Sequence, residues 1–206
     1  MEVKKQEEMQ ERLEKFYRET LQIKEDGLVQ AAVPASRILT LRVGEILIRE
    51  GTVPTNLCFL LKGVIRGVLP NHNGKDVTDC ISCRYGDSVM PDSDYTRPAS
   101  VTMEVLEDSE VLTVPLETVQ KLMDQYPRLV EVYRDLVLRS AVMHRELKIA
   151  VYQYDALQRY QWFLRTYPGL IDRIPHKYIA SFLNMTPVTL SNVRKAVREK
   201  QHKENW

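Results

Sequence analysis

Residues 174–195 read IPHKYIASFLNMTPVTLSNVRK, a pattern of two short helices joined by one sharp turn. Ile179 and Leu183 recur at helical spacing, and Ala180 between them is small enough to let a second helix backbone approach closely. Asn184 stands where the first helix must stop, because Asn tolerates the left-handed conformation better than other residues with a β-carbon. Thr186 then supplies an N-cap hydroxyl, and Pro187 a first helical residue whose fixed φ suits the start of a new helix. Met185 and Leu190 stand in the relation of a hydrophobic staple. Leu190 and Val193 are expected to face inward, while Val188, Ser191, Asn192 and Lys195 follow the i, i+3, i+4, i+7 rule and project outward together. This is the layout of a helix-turn-helix reader of the DNA major groove, although the apolar spacing alone also suits an ordinary helical hairpin. Charge favours the first reading. From Arg173 onward Lys and Arg number seven against two acidic residues, a net +5, so a chain of total +1 carries −4 before that point. A basic end on a mildly acidic body is the electrostatic footprint of a phosphate-binding module.

With 206 residues, 44% hydrophobic and 28% charged, the composition is that of a folded globular protein with room for one sizeable core and a small second domain. The first residues, MEVKKQEEMQERLEKFYRETL, are charged and helical in pattern, so neither a signal peptide nor a membrane anchor is expected and the cytoplasm is the natural location. Three cysteines, an odd number, argue for reduced thiols and against a disulfide framework.

Upstream of the opening segment the period changes twice. Residues Val3 to Asp26 carry Leu13, Phe16, Tyr17, Leu21 and Ile23 among many charges and predict one amphipathic helix. From Ile38 to Val114 the chain breaks into RILTLRV, EILIREG, NLCFLLKG, VIRGVLP, DVTDCISC, SVTMEVLE and SEVLTV, with glycines at the breaks. Seven or eight short antiparallel strands are expected. The tip Asn71-His72-Asn73-Gly74 is a hairpin signal. Helical periodicity returns after Pro115, first from Leu116 to Gln125 and then from Pro127 to about Tyr154. Along the longer helix Leu129, Tyr133, Leu136, Ser140, Met143, Leu147, Ala150 and Tyr154 alternate steps of four and three, a 3.5-residue seam of coiled-coil type. A single core-facing helix would also give this pattern, but two adjacent apolar stripes with no other large helical partner favour homodimerisation through the seam, with the second row of Val130, Val137, His144 and Val151 resting against the β domain. His144 is read as a packed, hydrogen-bonded residue because nothing nearby completes a metal site. A further helix from Asp155 to Tyr167 precedes the opening segment.

The order of a β-roll, a long helix and a C-terminal helix-turn-helix resembles the Crp/Fnr family of bacterial transcription regulators. Gly44-Glu45-Ile46-Leu47 with Glu50-Gly51, the strand and glycine at Phe59 to Gly63, Gly74-Lys75-Asp76, Gly86-Asp87, and the block from Ile174 to Lys195 carry the likeness over nearly the whole chain. DALQRYQWFLRTYPGL followed by IPHKYIASFLNMTP looks like the branch found in anaerobic gut bacteria. The resemblance implies an α+β fold with an N-terminal antiparallel β-roll of cupin-like, cyclic-nucleotide-binding-like type and flanking helices. It implies an effector domain at 1–126, a dimerisation helix at 127–154 and an all-α DNA-binding domain at 155–206 with little or no wing. The expected partners are double-stranded DNA, a second copy of the chain, a small-molecule effector and RNA polymerase, with no membrane.

Departures from the family pattern narrow the effector. Members that bind cyclic nucleotides hold the phosphate with a Gly-Glu-Leu turn and an Arg-Ser or Arg-Thr pair, since the anion needs guanidinium and backbone donors together. Here the region runs Gly86-Asp87-Ser88-Val89-Met90-Pro91-Asp92 and the later pair is Ala99-Ser100. Asp92 and Asp94 add negative charge, and Arg97 is displaced by two positions. An effector other than cyclic AMP is therefore expected, with Met90, Arg97, Ser100 and Ser140 as pocket residues by family position. A cyclic-nucleotide-responsive regulator is the alternative.

The family layout also distributes roles in the reader. Asn192 takes the base-reading position, where Asn suits adenine N6 and N7, with Ser191, Lys195 and Val188 assisting. Lys177, Thr186, Thr189, Arg194 and Arg198 are assigned to phosphates. The dimer interface is placed on Leu129, Tyr133, Leu136, Ser140, Met143 and Leu147. Cys80 and Cys83 form a C-x-x-C, but residues three apart on a strand point to opposite faces, and no further ligand pair has zinc spacing. No metal or cofactor is expected. No phosphate loop, metal constellation or nucleophile elbow suggests an enzyme. A signalling module that contacts protein instead of DNA is the other non-enzymatic reading, and the basic C-terminal part argues against it.

Overall fold

The computed structural model describes residues 2–69 and 76–204, so the hairpin tip at 71–74 lies outside the described residues. It has an antiparallel β-roll wrapped by N-terminal helices, one long helix lying along the roll, and a C-terminal cluster of short helices. The predicted first helix is two elements. Helix α1 (Glu2–Lys15) runs into a π-helical turn at Phe16–Thr20, and α2 (Asp26–Ala35) follows after a break in which Gln22 has φ +53°. Leu13, Phe16, Tyr17, Leu21 and Ile23 are buried as their periodicity requires. They form a core with Leu28 and Val29 of α2, Leu57 and Phe59 of the roll, and Leu129 of the long helix.

Five strands among the described residues replace the seven or eight expected: β1 (Arg37–Leu41), β2 (Ile46–Ile48), β3 (Asn56–Leu69), β4 (Val77–Ser82) and β5 (Thr102–Pro115). Their order is β1-β5-β3-β4, with β2 also on β5. NLCFLLKG and VIRGVLP are one strand, as are SVTMEVLE and SEVLTV, because Gly63 marks a bulge and not a turn. Pairing moves from Lys62↔Glu110 to Val64↔Glu107 across it. At Gly63, φ is +102° and a β-carbon would lie 2.1 Å from Ser109 Oγ, so glycine is required twice over. The bulge has a consequence for packing. Before it, Cys58 and Leu60 fill the roll; after it, Ile65 does, and Val64 turns outward to the C-terminal helices. Between the Leu60↔Val111 and Ile65↔Val105 pairs β5 carries one more residue than β3, and this offset switches which parity of β3 faces the roll interior.

Helix α3 (Leu116–Gln125) and the long α4 (Pro127–Gln153) appear where predicted, with Pro127 opening the latter. Helix α5 (Ala156–Thr166) starts at a capping box made by Asp155 and Gln158, whose side chains each accept from the other's backbone N–H. Gly169, at φ +76°, ends that segment before a 3₁₀ turn at Leu170–Asp172, α6 (His176–Phe182) and α7 (Pro187–Glu204). The C-terminal helices do not stand apart from the roll. Phe163, Ile179, Leu183 and Leu190 share one buried cluster with Val64, Ile81 and Leu106 of the roll.

Candidate nucleic-acid interface and ligand cleft

The turn between α6 and α7 has the geometry its residues predict. Met185 N–H donates to Ala180 C=O at 2.9 Å and Asn184 N–H to Ser181 C=O at 3.0 Å, with Asn184 at φ +49°. This is a Schellman closure with Asn in the left-handed position. Thr186 Oγ1 accepts from Thr189 N–H at 3.0 Å, and Thr186 C=O accepts from Leu190 N–H at 3.0 Å, which caps α7 in front of Pro187. Leu190 is buried, whereas Val188, Ser191, Asn192 and Lys195 are all exposed on one side of α7; Val188 is 69% exposed. An apolar side chain presented that openly beside an amide, a hydroxyl and an ammonium group can meet thymine methyls and base edges in one groove.

The residues assigned to phosphates divide. Lys177 and Arg198 are exposed, Thr186 is exposed with its hydroxyl 2.8 Å from that of half-buried Thr189, and the Lys177 ammonium lies 4.7 Å from the Tyr178 ring centre. Arg194 is placed differently. Its guanidinium is 20% exposed and turned inward to Asp172 at 3.4 Å and a His176 ring nitrogen at 2.8 Å, tying α7 to the start of α6. Helical phase puts Arg194 near the outer face, but a carboxylate one turn before α6 draws it in. A residue missed from the sequence is Arg159 of α5, whose Nη1 donates to Asn184 C=O at 3.2 Å and braces the turn. No local motif signals a contact made across that sequence distance.

Strand β4 holds α6 against the roll. Thr78 N–H donates to Ser181 Oγ at 2.9 Å, and the Ser181 hydroxyl donates to Asp76 C=O at 3.3 Å. Buried Arg66 lies 3.9 Å from the centre of the Tyr178 ring while donating to Glu104 at 2.7 Å and to Thr78 Oγ1 at 3.0 Å. Arg173 spans the same junction, donating to Glu107 at 2.9 Å and to Gly63 C=O at 3.1 Å.

A cleft runs between the roll and α4. One part, about 260 Å³, is lined by Met90, Asp92, Ser100, Tyr133, Ser140 and His144 among others. A second part of about 140 Å³ shares Asp79, Ser140 and His144 and ends on Tyr167 and Phe182 of the C-terminal domain. Three of the four predicted pocket residues, Met90, Ser100 and Ser140, therefore meet in one space. Arg97 is exposed outside that lining, on a turn where its N–H reaches Asp94 C=O at 3.4 Å. In its stead Asp92 faces the cleft, and its carboxylate accepts from both Ser100 N–H at 2.8 Å and Ser100 Oγ at 2.7 Å.

His144 bridges the cleft from α4, with Nδ1 2.9 Å from Ser140 C=O and Nε2 3.6 Å from the Asp79 carboxylate on β4. Both contacts suit a doubly protonated ring. The bond to Asp79, helped by the Ser140 carbonyl and opposed by desolvation, raises its pKa above the usual 6.5. The resulting stability is fully present below about 6.5 and is lost as pH rises through the raised value. Thermal melts from pH 5 to 9 should show Asp79→Asn less stable than wild type at acid pH by under about 1 kcal/mol, the modest size reflecting partial exposure, with the gap closing toward pH 9. Cys80 lines the same cleft, and burial holds the thiols protonated, pushing Cys58 and Cys80 up to about 12 and Cys83 to about 11.

The row assigned to the dimer interface is the inner face of α4. Leu129 and Leu136 pack into the N-terminal core, and Met143 and Leu147 against the C-terminal one. Tyr133 donates its hydroxyl to Ser93 C=O, and Ser140 lines the cleft. A 3.5-residue period marks a buried stripe without saying what buries it. The outward row is Leu138, Val142, Arg145, Ile149 and Tyr152, again in steps of four and three, and Leu138, Val142 and Tyr152 are 54%, 55% and 79% exposed.

Comparison with known proteins agrees with this architecture. Residues 38–126 match the family described as cyclic nucleotide-binding domain. No curated protein sequence matches the chain. Among solved structures, FixK2 from Bradyrhizobium japonicum superposes with a TM-score of 0.73 at 14% identity, covering 81% of this chain and 86% of that one. The c-di-GMP responsive global regulator CLP from Xanthomonas campestris gives 0.67 at 12% identity, covering 86% and 93%. A Eubacterium rectale protein classed with the crp/fnr family gives 0.68 at 14% identity, covering 85% and 84%. The fold is thus the one seen in Crp/Fnr regulators, a cyclic nucleotide-binding-type domain followed by a helical C-terminal unit.

Proposed function

We propose that this chain, a cyclic nucleotide-binding-type domain joined to a helix-turn-helix in the Crp/Fnr fold, is a sequence-specific DNA-binding transcription regulator that acts as a homodimer. The observation that carries the reading is the capped α7 presenting Val188, Ser191, Asn192 and Lys195 together to solvent. In a dimer two such helices enter successive major grooves roughly 34 Å apart on a near-palindromic site. Asn192 reads a base, while Lys177 and Arg198 supply phosphate contacts, which give affinity and register. The solvent-facing row of α4 supports pairing of two copies through that helix.

Two features support control of DNA reading from the roll. The cleft ends on Tyr167 and Phe182, inside the core that also holds α6 and α7. Strand β4 faces it with Asp79 and grips α6 one residue earlier, through Thr78. A ligand that repositions α4 against β4 changes the seat of α6, and only its differential affinity for the two arrangements can drive the change.

Binding of the purified protein to genomic fragments, followed by gel shift, tests the reading. Retarded specific fragments are expected; capture of a protein partner without DNA retardation would favour the signalling-module alternative. Residue roles separate on the selected site. Asn192→Ala should lose about 1–3 kcal/mol of discrimination at the base it reads and little affinity for random DNA. Arg198→Ala should weaken all sequences alike and reduce the slope of log K against log salt by about 1. Equal losses on specific and random DNA for Asn192→Ala would remove it from base reading.

A further inference from the structure

Taking the cleft as the effector site of the proposed regulator, we infer that it receives a small primary amine with a short apolar tail, and not an anionic nucleotide. The sign follows from the walls. Asp79 and Asp92 both line the 260 Å³ space. Its one basic side chain, His144, is already paired with Asp79, which leaves the Asp92 carboxylate without a cation among the described residues. No Lys or Arg lines the space, and Arg139 appears only in its extension. The paired donors that an entering anion needs, the N–H and hydroxyl of Ser100, are both spent on the Asp92 carboxylate. An incoming phosphate meets a carboxylate where it needs donors. An ammonium group offers three donors and no acceptor, which matches those carboxylate oxygens.

The apolar side of the same space sets the rest of the ligand. The rings of Tyr95 and Tyr133 stand edge to face there, 5.5 Å between centres, and an aromatic face attracts a cation. Leu57, Tyr133 and Leu136 also form one wall of a second cavity of about 30 Å³, lined elsewhere by residues that include Leu28, Ala32 and Phe59. Its lining is apolar, so it stays dry, and it has room for about two water-sized groups, here two carbons. An alkyl tail passing Tyr133 and Leu136 would fill it. Because both residues belong to α4, filling the cavity acts directly on the helix that links the roll to the reader.

Isothermal titration of the full chain with n-alkylamines from propyl to octyl, the matching alcohols and carboxylates, and cyclic AMP tests this. Amines should bind at least about tenfold tighter than carboxylates of equal length, alcohols should fall between, and cyclic AMP should not bind. Affinity should rise about fourfold per carbon for the two that enter the apolar cavity and then level off. Ala32→Leu, which fills that cavity, should flatten the series while keeping the amine preference. Asp92→Asn, in which one oxygen still accepts from Ser100, should reduce the amine preference, with a thermal melt checking that the fold is kept. Carboxylates or cyclic AMP binding as tightly as amines, an unchanged preference in Asp92→Asn, no amine binding at millimolar concentration, or a length dependence unaffected by Ala32→Leu would overturn the inference. The titration uses no DNA, so its failure leaves the DNA-reading proposal standing, and a failed gel shift leaves the amine result standing.

Discussion

If the chain works as the proposed homodimer, Leu138→Glu, alone or with Val142→Glu, should convert it to a monomer and reduce affinity for a two-half-site operator by a factor on the order of 10²–10⁴. The physical basis is the outer row of α4, where Leu138, Val142, Ile149 and Tyr152 repeat at the coiled-coil period and Leu138 and Val142 are more than half exposed. A paired seam buries such side chains against the same row of a second helix. A carboxylate placed there must be desolvated without a partner, and two copies bring like charges together. The loss on DNA is large because dimerisation makes the second half-site contact effectively intramolecular. Analytical ultracentrifugation reads the mass, and titration of a full operator against a single half-site reads the coupling. The control is Met143→Ala on the inner row, which should lower thermal stability and leave the dimer intact. If Met143→Ala dissociates the dimer while Leu138→Glu does not, the seam is the inner row after all.

Phe163→Ala should destabilise the protein by about 3–5 kcal/mol, the range for removing a fully buried aromatic ring. Phe163 has no exposed surface and packs beside Tyr167 and Phe182, with ring centres at 5.4 and 6.3 Å. Its cluster also contains Val64, Ile81 and Leu106 of the roll. The damage should therefore reach both ends of the molecule. Near-ultraviolet circular dichroism of the helical core and hydrogen exchange of β3 and β4 should show the roll losing protection together with α5–α7. A reader that melts while β3 and β4 keep wild-type protection would show that the two ends are energetically independent.

Much of this was legible in the sequence where the signal is local. The Thr186-Pro187 cap, the Asn184 turn and the helix start at Asp155 involve residues within about one turn of each other, and each appears where expected. Where packing partners lie far apart in the chain, local pattern was insufficient. Gly63 looked like the end of a strand and is a bulge inside one, since only Ser109 opposite shows that pairing continues. Arg97 and Arg194 carried the right charge at plausible positions. The first remains outside the cleft, while Asp172 and His176 engage the second.

The sequence by itself determined the order of elements and the chemistry of the proposed reading face, because helix caps, turns and the outward phase of Val188, Ser191, Asn192 and Lys195 depend on short-range sterics and periodicity. Tertiary structure alone decided which stripe of α4 turns inward, that Asp92 instead of an arginine meets Ser100, and that the C-terminal helices share a core with the roll. Those outcomes depend on which distant surfaces meet. A helix with two apolar rows can bury either one, and the choice follows from the shape and charge of what it lies against.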